Sequence, residues 1–542
     1  MASAADAGSN PGLGIVRIDG GQVSGVGTDV DGVEVFKGLP FAGPTSGDNR
    51  FKPPQAVVPW AGVKVADQWG DMQLQNPQTN PTGQFWGDEF YWDPAFLPKP
   101  SEDAERLNVW TPAKTSKQNL PVYVWIHGGG NHHGYASEME FVASKLAAKG
   151  IVVVSVQYRV GAPGFLSLKE LSSESLHGVS GNYAMLDLVQ ALHWVHDNIS
   201  GFGGNPAMVT IGGQSAGAQN ATMLLRSPLA KGLFKRAVLE SGFAGLLPMP
   251  MMDLKDREAA NQKAIDAALG KPTTLADLRA IPANEMITKS LPDGKLLYDA
   301  LHKAVNGGAQ HTLDGYVYTK DSVDLLRPGA LNGLDIMIGG NSDEFSSLDG
   351  GPDKRLSTGE LAAAMQKFGY DNAWKAIYRP SDDLEAYRMS LRAKSDFYLQ
   401  EYLVSAAYAK AHNKNLNVYS YDFNHAPPGR NSEFYGSFHS SELWYYFDSM
   451  RDVPGQRNWT SADHRLAATM SSYLANFVKT GNPNGKGLPV WKQPTVADNV
   501  AFMRFHDGDA SLVTQTPYPE RDKLNRELVL KKAGLTEADL RK

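Results

Sequence analysis

The sequence predicts an α/β fold with a central, mostly parallel sheet covered by helices on both faces. Two observations carry that prediction. Short apolar runs rich in β-branched residues alternate with segments of helical spacing, as in strands joined by crossover helices. One run, Val209 to Ile211, passes directly into a glycine-flanked serine and then into helix-forming residues up to Leu225.

Taken in order, residues 14–37 read as short strands with glycine turns, an N-terminal antiparallel ribbon. Core strands follow at Leu107–Trp110, Val122–Ile126, Ile151–Val156, Val209–Ile211, Ala237–Leu239, Ile336–Ile338, Val418–Tyr421 and Val500–Phe505. Tyr183 to Ile199 sets Met185, Leu186, Val189, Leu192 and Val195 at helical spacing. Segments 250–330 and 355–415 are helix-rich and read as cap-like insertions around a gorge. Residues 85–97 carry Phe85, Trp86, Phe90, Tyr91, Trp92 and Phe96. That stretch reads either as an aromatic rim to the gorge or as a loop folded onto the body.

The 542 residues hold no linker, low-complexity run or internal repeat, so residues 13–542 read as one domain after an N-terminal remnant at 1–12. The 52 basic and 58 acidic side chains are interspersed, net −6, which gives no basic stripe for nucleic acid. No apolar run approaches the ~18 residues of a membrane span. The absence of cysteine excludes disulfides, a thiol nucleophile and thiolate ligands. No metal-ligand spacing occurs, so neither a metal nor another cofactor is expected. Ala2, Ser3 and Ala4 look like the small-residue remnant of a signal-peptide cleavage site. The expectation is an extracytoplasmic protein, with a cytoplasmic one as the alternative. Oligomeric state is not legible.

Chemistry concentrates at Val209 to Ala218, VTIGGQSAGA. Gly213 and Gly217 let the backbone turn sharply, which pushes the Ser215 hydroxyl outward from a strained position. The helix N-terminus behind it directs N–H groups at a developing oxyanion. This is the pattern of a nucleophile elbow. Upstream, the apolar run LPVYVWI (120–126) meets HGGG at 127–130. Three glycines there cost backbone entropy, and suit a backbone that must lie bare beside a ligand. Gly129, Gly130 and Ala216 are the candidate oxyanion donors.

The same residues, with others, resemble the type B carboxylesterase family, which includes the cholinesterases. The similarity runs through FKGLPFA (36–42), SEDAERLNVW (101–110), YR at 158–159 with GFL at 164–166, FGGNP (202–206) and the elbow. It is dense over about residues 15–245 and sparse beyond. The resemblance implies an α/β-hydrolase fold and a carboxylic ester hydrolase acting on a small-molecule ester. GGNSDE (339–344) is similar to the family's acid segment, which implies Glu344 as the triad acid, with Asp343 as its neighbouring competitor. GSFHSSELWYYF (436–447) is similar to the histidine segment and implies His439. Ser215, Glu344 and His439 then stand in the chain order of this class.

Ser241 is implied to support the triad from behind, or else to cap a turn. Gln214 stands where many family members carry Glu, and a neutral side chain there speaks against a choline-ester preference. Asn131, His132, His133, Phe243 and Trp444 are the candidates for the substrate pocket, while His127 reads as structural. Short-chain or aromatic esters are the expected substrates. A lipase, or a carbamate or amide hydrolase, could use the same machinery. Adhesion members of the family lose triad residues, and all three are present here.

Overall fold

The computed structural model describes residues 12–75, 85–305, 311–451, 457–494 and 501–541. Its main sheet has eleven strands: β1 (Val26–Gly27), β2 (Glu34–Pro40), β3 (Arg106–Thr111), β4 (Leu120–Ile126), β5 (Val152–Val156), β6 (Gly204–Gln214), β7 (Arg236–Glu240), β8 (Asp335–Asn341), β9 (Val418–Phe423), β10 (Phe502–His506) and β11 (Asp509–Val513). Their spatial order is 11-10-9-8-7-6-4-5-3-2-1. Strands β5, β4, β6, β7, β8, β9 and β10 run parallel, and antiparallel pairs close both edges. The mostly parallel sheet expected from the sequence is therefore present.

Strand β4 shows why its sequence is continuously apolar. Val122, Val124 and Ile126 join the core on one face. Tyr123 and Trp125 join the core on the other. A sheet covered on both sides needs apolar residues at both parities. Strand β6 is longer than the expected Val209–Ile211, because it begins at Gly204 and shifts register before Val209. Phe502–His506 replaces the expected Val500–Phe505, and Val500 lies outside the described residues.

The N-terminal ribbon is only partly as expected. Ile15–Ile18 and Gly21–Ser24 pair antiparallel, but Val63–Val65 adds to them in parallel. Glu34–Pro40 leaves that ribbon for the main sheet, where Val35 and Phe36 are buried. Of the expected N-terminal remnant, residues 1–11 lie outside the described residues. Leu13 N donates to Glu34 Oε2 at 2.8 Å.

Helix α1 (Tyr183–Asn198) buries Met185, Leu188, Val189, Leu192 and Val195, close to the expected periodicity. Helix α2 (Ala216–Arg226) follows the serine directly. The expected insertions are helical: α3 (Leu254–Leu269), α4 (Leu297–Val305), α5 (Thr358–Phe368) and the 30-residue α6 (Asp383–His412).

One buried ion cluster ties α1 to the sheet beside the glycine loop. Arg159, just past β5, donates to both carboxylate oxygens of Asp187 on α1, at 2.8 and 2.6 Å. Glu105 lies 3.9 Å from the guanidinium, and all three are fully buried. The preceding Tyr158 stacks on the His127 ring at 4.3 Å and donates to His127 O at 2.8 Å. Removing one member of a buried pair strands the other charge. Asp187→Asn is expected to lower unfolding free energy by roughly 3–5 kcal/mol, read as a drop in urea midpoint. An unchanged midpoint would show that the cluster does not hold this face together.

Candidate active site

Ser215 sits between β6 and α2 with φ 57° and ψ −125°, a strained conformation for a non-glycine residue. Its N–H donates to Glu240 O at 2.8 Å, which anchors the turn to β7. The flanking glycines are sterically required. A Cβ on Gly213 would lie 2.4 Å from the Gly217 carbonyl carbon. A Cβ on Gly217 would lie 2.0 Å from Ile126 O and 2.6 Å from His127 O. The elbow thus presses against the end of β4, where the glycine loop begins.

That loop lies alongside the serine. A Cβ on Gly128 would come within 3.2 Å of Ser215 Cβ. Gly129 has φ 95° and Gly130 φ 63°, both favoured by glycine. Ala216 opens α2, so its N–H has no partner within the helix. The structure therefore gathers the glycine loop, Ser215 and the start of α2 at one point.

His439 is buried and its Nδ1 lies 2.5 Å from Glu344 Oε2. Glu344 Oε1 accepts from Asn341 N at 2.9 Å, which fixes the carboxylate. Gly340 leaves room for it, since a Cβ there would lie 2.5 Å from Glu344 Oε1. Asp343 is committed elsewhere, to Arg392 at 2.5 Å and to Ser437 N and Oγ at 3.1 and 3.0 Å. A ring whose Nδ1–H donates to Glu344 presents Nε2 as an acceptor. Gln214 Nε2 faces that atom at 3.3 Å. Among the described residues no hydrogen bond joins Ser215 Oγ to the ring, although both residues line one cavity of about 280 Å³.

Behind Glu344 lies a second buried carboxyl, Glu442, to which sequence reading assigned no role. Ser241 Oγ donates to its Oε1 at 3.1 Å, and Asn341 Nδ2 donates to its Oε2. Ser241 therefore reaches Glu442 rather than Ser215 or His439. Burial, and then the charge of Glu344, raise the Glu442 carboxyl to about 7.

The pocket candidates divide. His133 and Phe243 line the cavity, and Phe243 stacks on His439 at 5.7 Å. Burial pushes His133 down to about 3, so its ring is neutral there. Asn131 does not line it. It is fully buried, accepts from Asn220 Nδ2 at 2.8 Å, and its carbonyl accepts from Gly161 N. An amide that finds such buried partners gains more turned inward than facing a cavity. His132 also turns away, to His302 at 4.2 Å and to Asp299 at 3.3 Å on α4. Trp444 is screened by Phe90, which stacks on it at 6.0 Å and itself lines the cavity.

Residues 85–97 meet both readings at once. Phe85–Phe90 is a short helix rather than a loop, with Phe90 and Tyr91 buried. Trp86, Phe90 and Tyr91 nevertheless line the cavity, and Trp86 meets the His439 ring edge-to-face at 6.4 Å. Sequence reading missed Glu138, Glu140 and Leu348 in the wall. No motif surrounds them, and only the path of the chain after the glycine loop brings the two glutamates in. The helical insertions, expected around the gorge, stand one layer back. Tyr298 donates to His132 O at 2.5 Å, and Tyr398 packs on Phe243 at 4.7 Å. Phe345 stacks on Tyr398 at 5.3 Å.

Among the described residues no group of His, Asp and Glu has metal-binding geometry, and no helix is long and apolar enough to cross a membrane.

A parallel sheet with an elbow serine and a glycine loop at the carboxyl ends of neighbouring strands defines an α/β-hydrolase fold. The comparisons agree. A profile described as the carboxylesterase family matches residues 13–521. The fumonisin B1 esterase of Sphingopyxis macrogoltabida is 32% identical over 86% of this chain and 81% of its own. Carboxylesterase 1F of Mus musculus is 34% identical over 87% of this chain and 86% of its own. A solved carboxylesterase of Geobacillus stearothermophilus superposes with a TM-score of 0.74 at 30% identity, covering 94% of this chain and 99% of that one. A solved thermophilic pNB esterase gives 0.74 at 29% identity, with 94% and 100% covered. The chain belongs to the carboxylesterase family and is a carboxylic ester hydrolase.

The elbow sterics generate a paired test. Gly217→Ala must displace the end of β4 and is expected to cost at least about 3 kcal/mol, or to prevent soluble folding. A Cβ on Gly130 meets nothing within 4 Å. Gly130→Ala should therefore cost only the roughly 1–2 kcal/mol of its left-handed backbone. Urea unfolding of the two variants checks this order, and equal costs would refute the close-approach account.

Proposed function

We propose that Ser215, His439 and Glu344 form the catalytic triad, with Gly129, Gly130 and Ala216 as the oxyanion hole. One observation carries this reading: the buried His439, held at Nδ1 by Glu344, shares a cavity with the elbow serine and the glycine loop. Nε2 takes the Ser215 proton as the hydroxyl attacks the ester carbonyl, and returns it to the leaving alcohol. Glu344 sets the ring tautomer and stabilises the imidazolium. The backbone N–H groups hold the tetrahedral oxyanion, after which water resolves the acyl-enzyme by the same proton route. For this transfer the Gln214 amide must yield Nε2 to the serine hydroxyl. Histidine–nucleophile contacts of this kind often tighten only once substrate is bound.

The aromatic walls formed by Trp86, Phe90, Tyr91 and Phe243 around a cavity of about 280 Å³ favour short-chain or aromatic esters. Hydrolysis of p-nitrophenyl esters from acetate to palmitate tests the reading. Turnover is expected on the short chains and should fall away on the long ones. Ser215→Ala should cost on the order of 10⁶ in kcat. Glu344→Gln, which leaves the ring without its anionic partner, should cost roughly 10⁴. Parent protein inactive on every ester would overturn the proposal, and Ser215→Ala with normal turnover would remove Ser215 from it.

A further inference from the structure

The glycine loop is braced from outside by a tyrosine of the helical insertion, one layer behind the cavity. Gly129 O accepts two backbone N–H groups, from His132 at 3.0 Å and from His133 at 3.1 Å. Each of these donors belongs to a peptide whose carbonyl is anchored in turn. Asn131 O accepts from Gly161 N at 2.7 Å, and His132 O accepts from the Tyr298 hydroxyl at 2.5 Å. These peptides are trans, so each is a planar unit with its N–H and C=O pointing opposite ways. Each therefore acts as a rigid bar, with its outer end on a fixed donor and its inner end on Gly129 O. The Gly129–Gly130 peptide carries that same carbonyl at one end and the Gly130 N–H at the other. Pinning Gly129 O thus sets the direction of the Gly130 N–H, and both glycines line the cavity that holds Ser215.

Tyr298, on α4, is only 2% exposed. Burial pushes its phenol above the ordinary range, so the hydroxyl keeps its proton and donates. The hydroxyl is closely packed, since a Cβ on Gly161 would lie 2.7 Å from its oxygen. The same face of α4 also grips the His132 side chain. His302, one turn on from Tyr298, packs on that ring at 4.2 Å, and Asp299 Oδ1 lies 3.3 Å from its Nε2. Main chain and ring of His132 are therefore held by one helix. Tyr298 is not part of the cavity wall, so it reaches the site only through the loop.

We propose that Tyr298 is a positioning residue for ester hydrolysis, its hydroxyl orienting the Gly130 N–H toward the oxyanion through His132 and Gly129. This inference rests on the triad and oxyanion hole proposed above. An oxyanion demands more of a hydrogen-bond donor than the ground-state carbonyl does. Loosening the donor therefore lowers kcat and leaves KM nearly unchanged.

Tyr298→Phe keeps the buried ring and removes only the hydroxyl. On p-nitrophenyl acetate and butyrate its kcat is expected to fall about tenfold or more, short of the roughly 10²–10³ for outright loss of a donor. KM should stay within about twofold. Affinity for an alkyl trifluoromethyl ketone, which adds Ser215 and places an oxyanion in the hole, should fall by the same factor as kcat/KM. Gly161→Ala displaces the hydroxyl from the other side and should reproduce both losses. Amide exchange over residues 127–134, read by mass spectrometry, should quicken in each variant while that of β4 stays as in the parent. Parent-like kcat and ketone affinity in folded Tyr298→Phe would overturn the proposal. So would a raised KM at unchanged kcat, or an unchanged exchange rate over 127–134. A parent protein inactive on every ester would instead sink the esterase reading, and the exchange rates would then decide the bracing of the loop without turnover.

Discussion

The site depends on one close contact between backbones. Gly217, at the start of α2, lies against the carbonyls of Ile126 and His127 at the end of β4. This approach places the turn after β6 directly beside the turn after β4. The elbow and the glycine loop therefore sit together because β4 and β6 are parallel neighbours in register, Gly213 opposite Ile126. The carboxyl ends of β8 and β9 continue the same edge of the sheet, and Glu344 follows β8 by three residues. Ser215 and Glu344 both sit just past strand ends, so the geometry of the site is a property of the sheet.

The site is also defined by where its negative charge goes. Glu344 points at His439, while Asp343 beside it is taken by Arg392 and Ser437. Glu442 lies behind, bridged by Ser241 and Asn341 and raised towards neutrality. Gln214 is neutral next to the ring. The histidine therefore faces one committed carboxylate and a screened second one. Glu138 and Glu140 also line the cavity that holds Ser215 and His439.

Much of this was legible in the sequence because it depends on local sterics. The glycines at 213 and 217 and the apolar run before HGGG announce themselves, since no other residue fits those backbone positions. The resemblance carried Glu344 and His439 to positions that the structure brings together. The pocket was less legible. Asn131 and His132 follow the glycine loop, yet one turns to Asn220 and the other to α4. Trp444 is aromatic and near His439 in sequence, yet Phe90 stands in front of it. Adjacency in sequence does not decide which way a side chain faces after a tight turn at φ 55° such as that of Asn131.

The sequence by itself determined the sheet, the elbow, the glycine loop and the class of chemistry. These follow from residue size, period and backbone freedom, all of which are written locally. The tertiary structure alone decided which carboxylate serves the histidine, which aromatics wall the cavity and that Glu138 and Glu140 enter it. Those outcomes depend on burial and on partners hundreds of residues away, such as Phe90 against Trp444 and Ser241 against Glu442. Long-range packing sets the dielectric and the hydrogen-bond partners of each group, and no pattern in the local sequence encodes them.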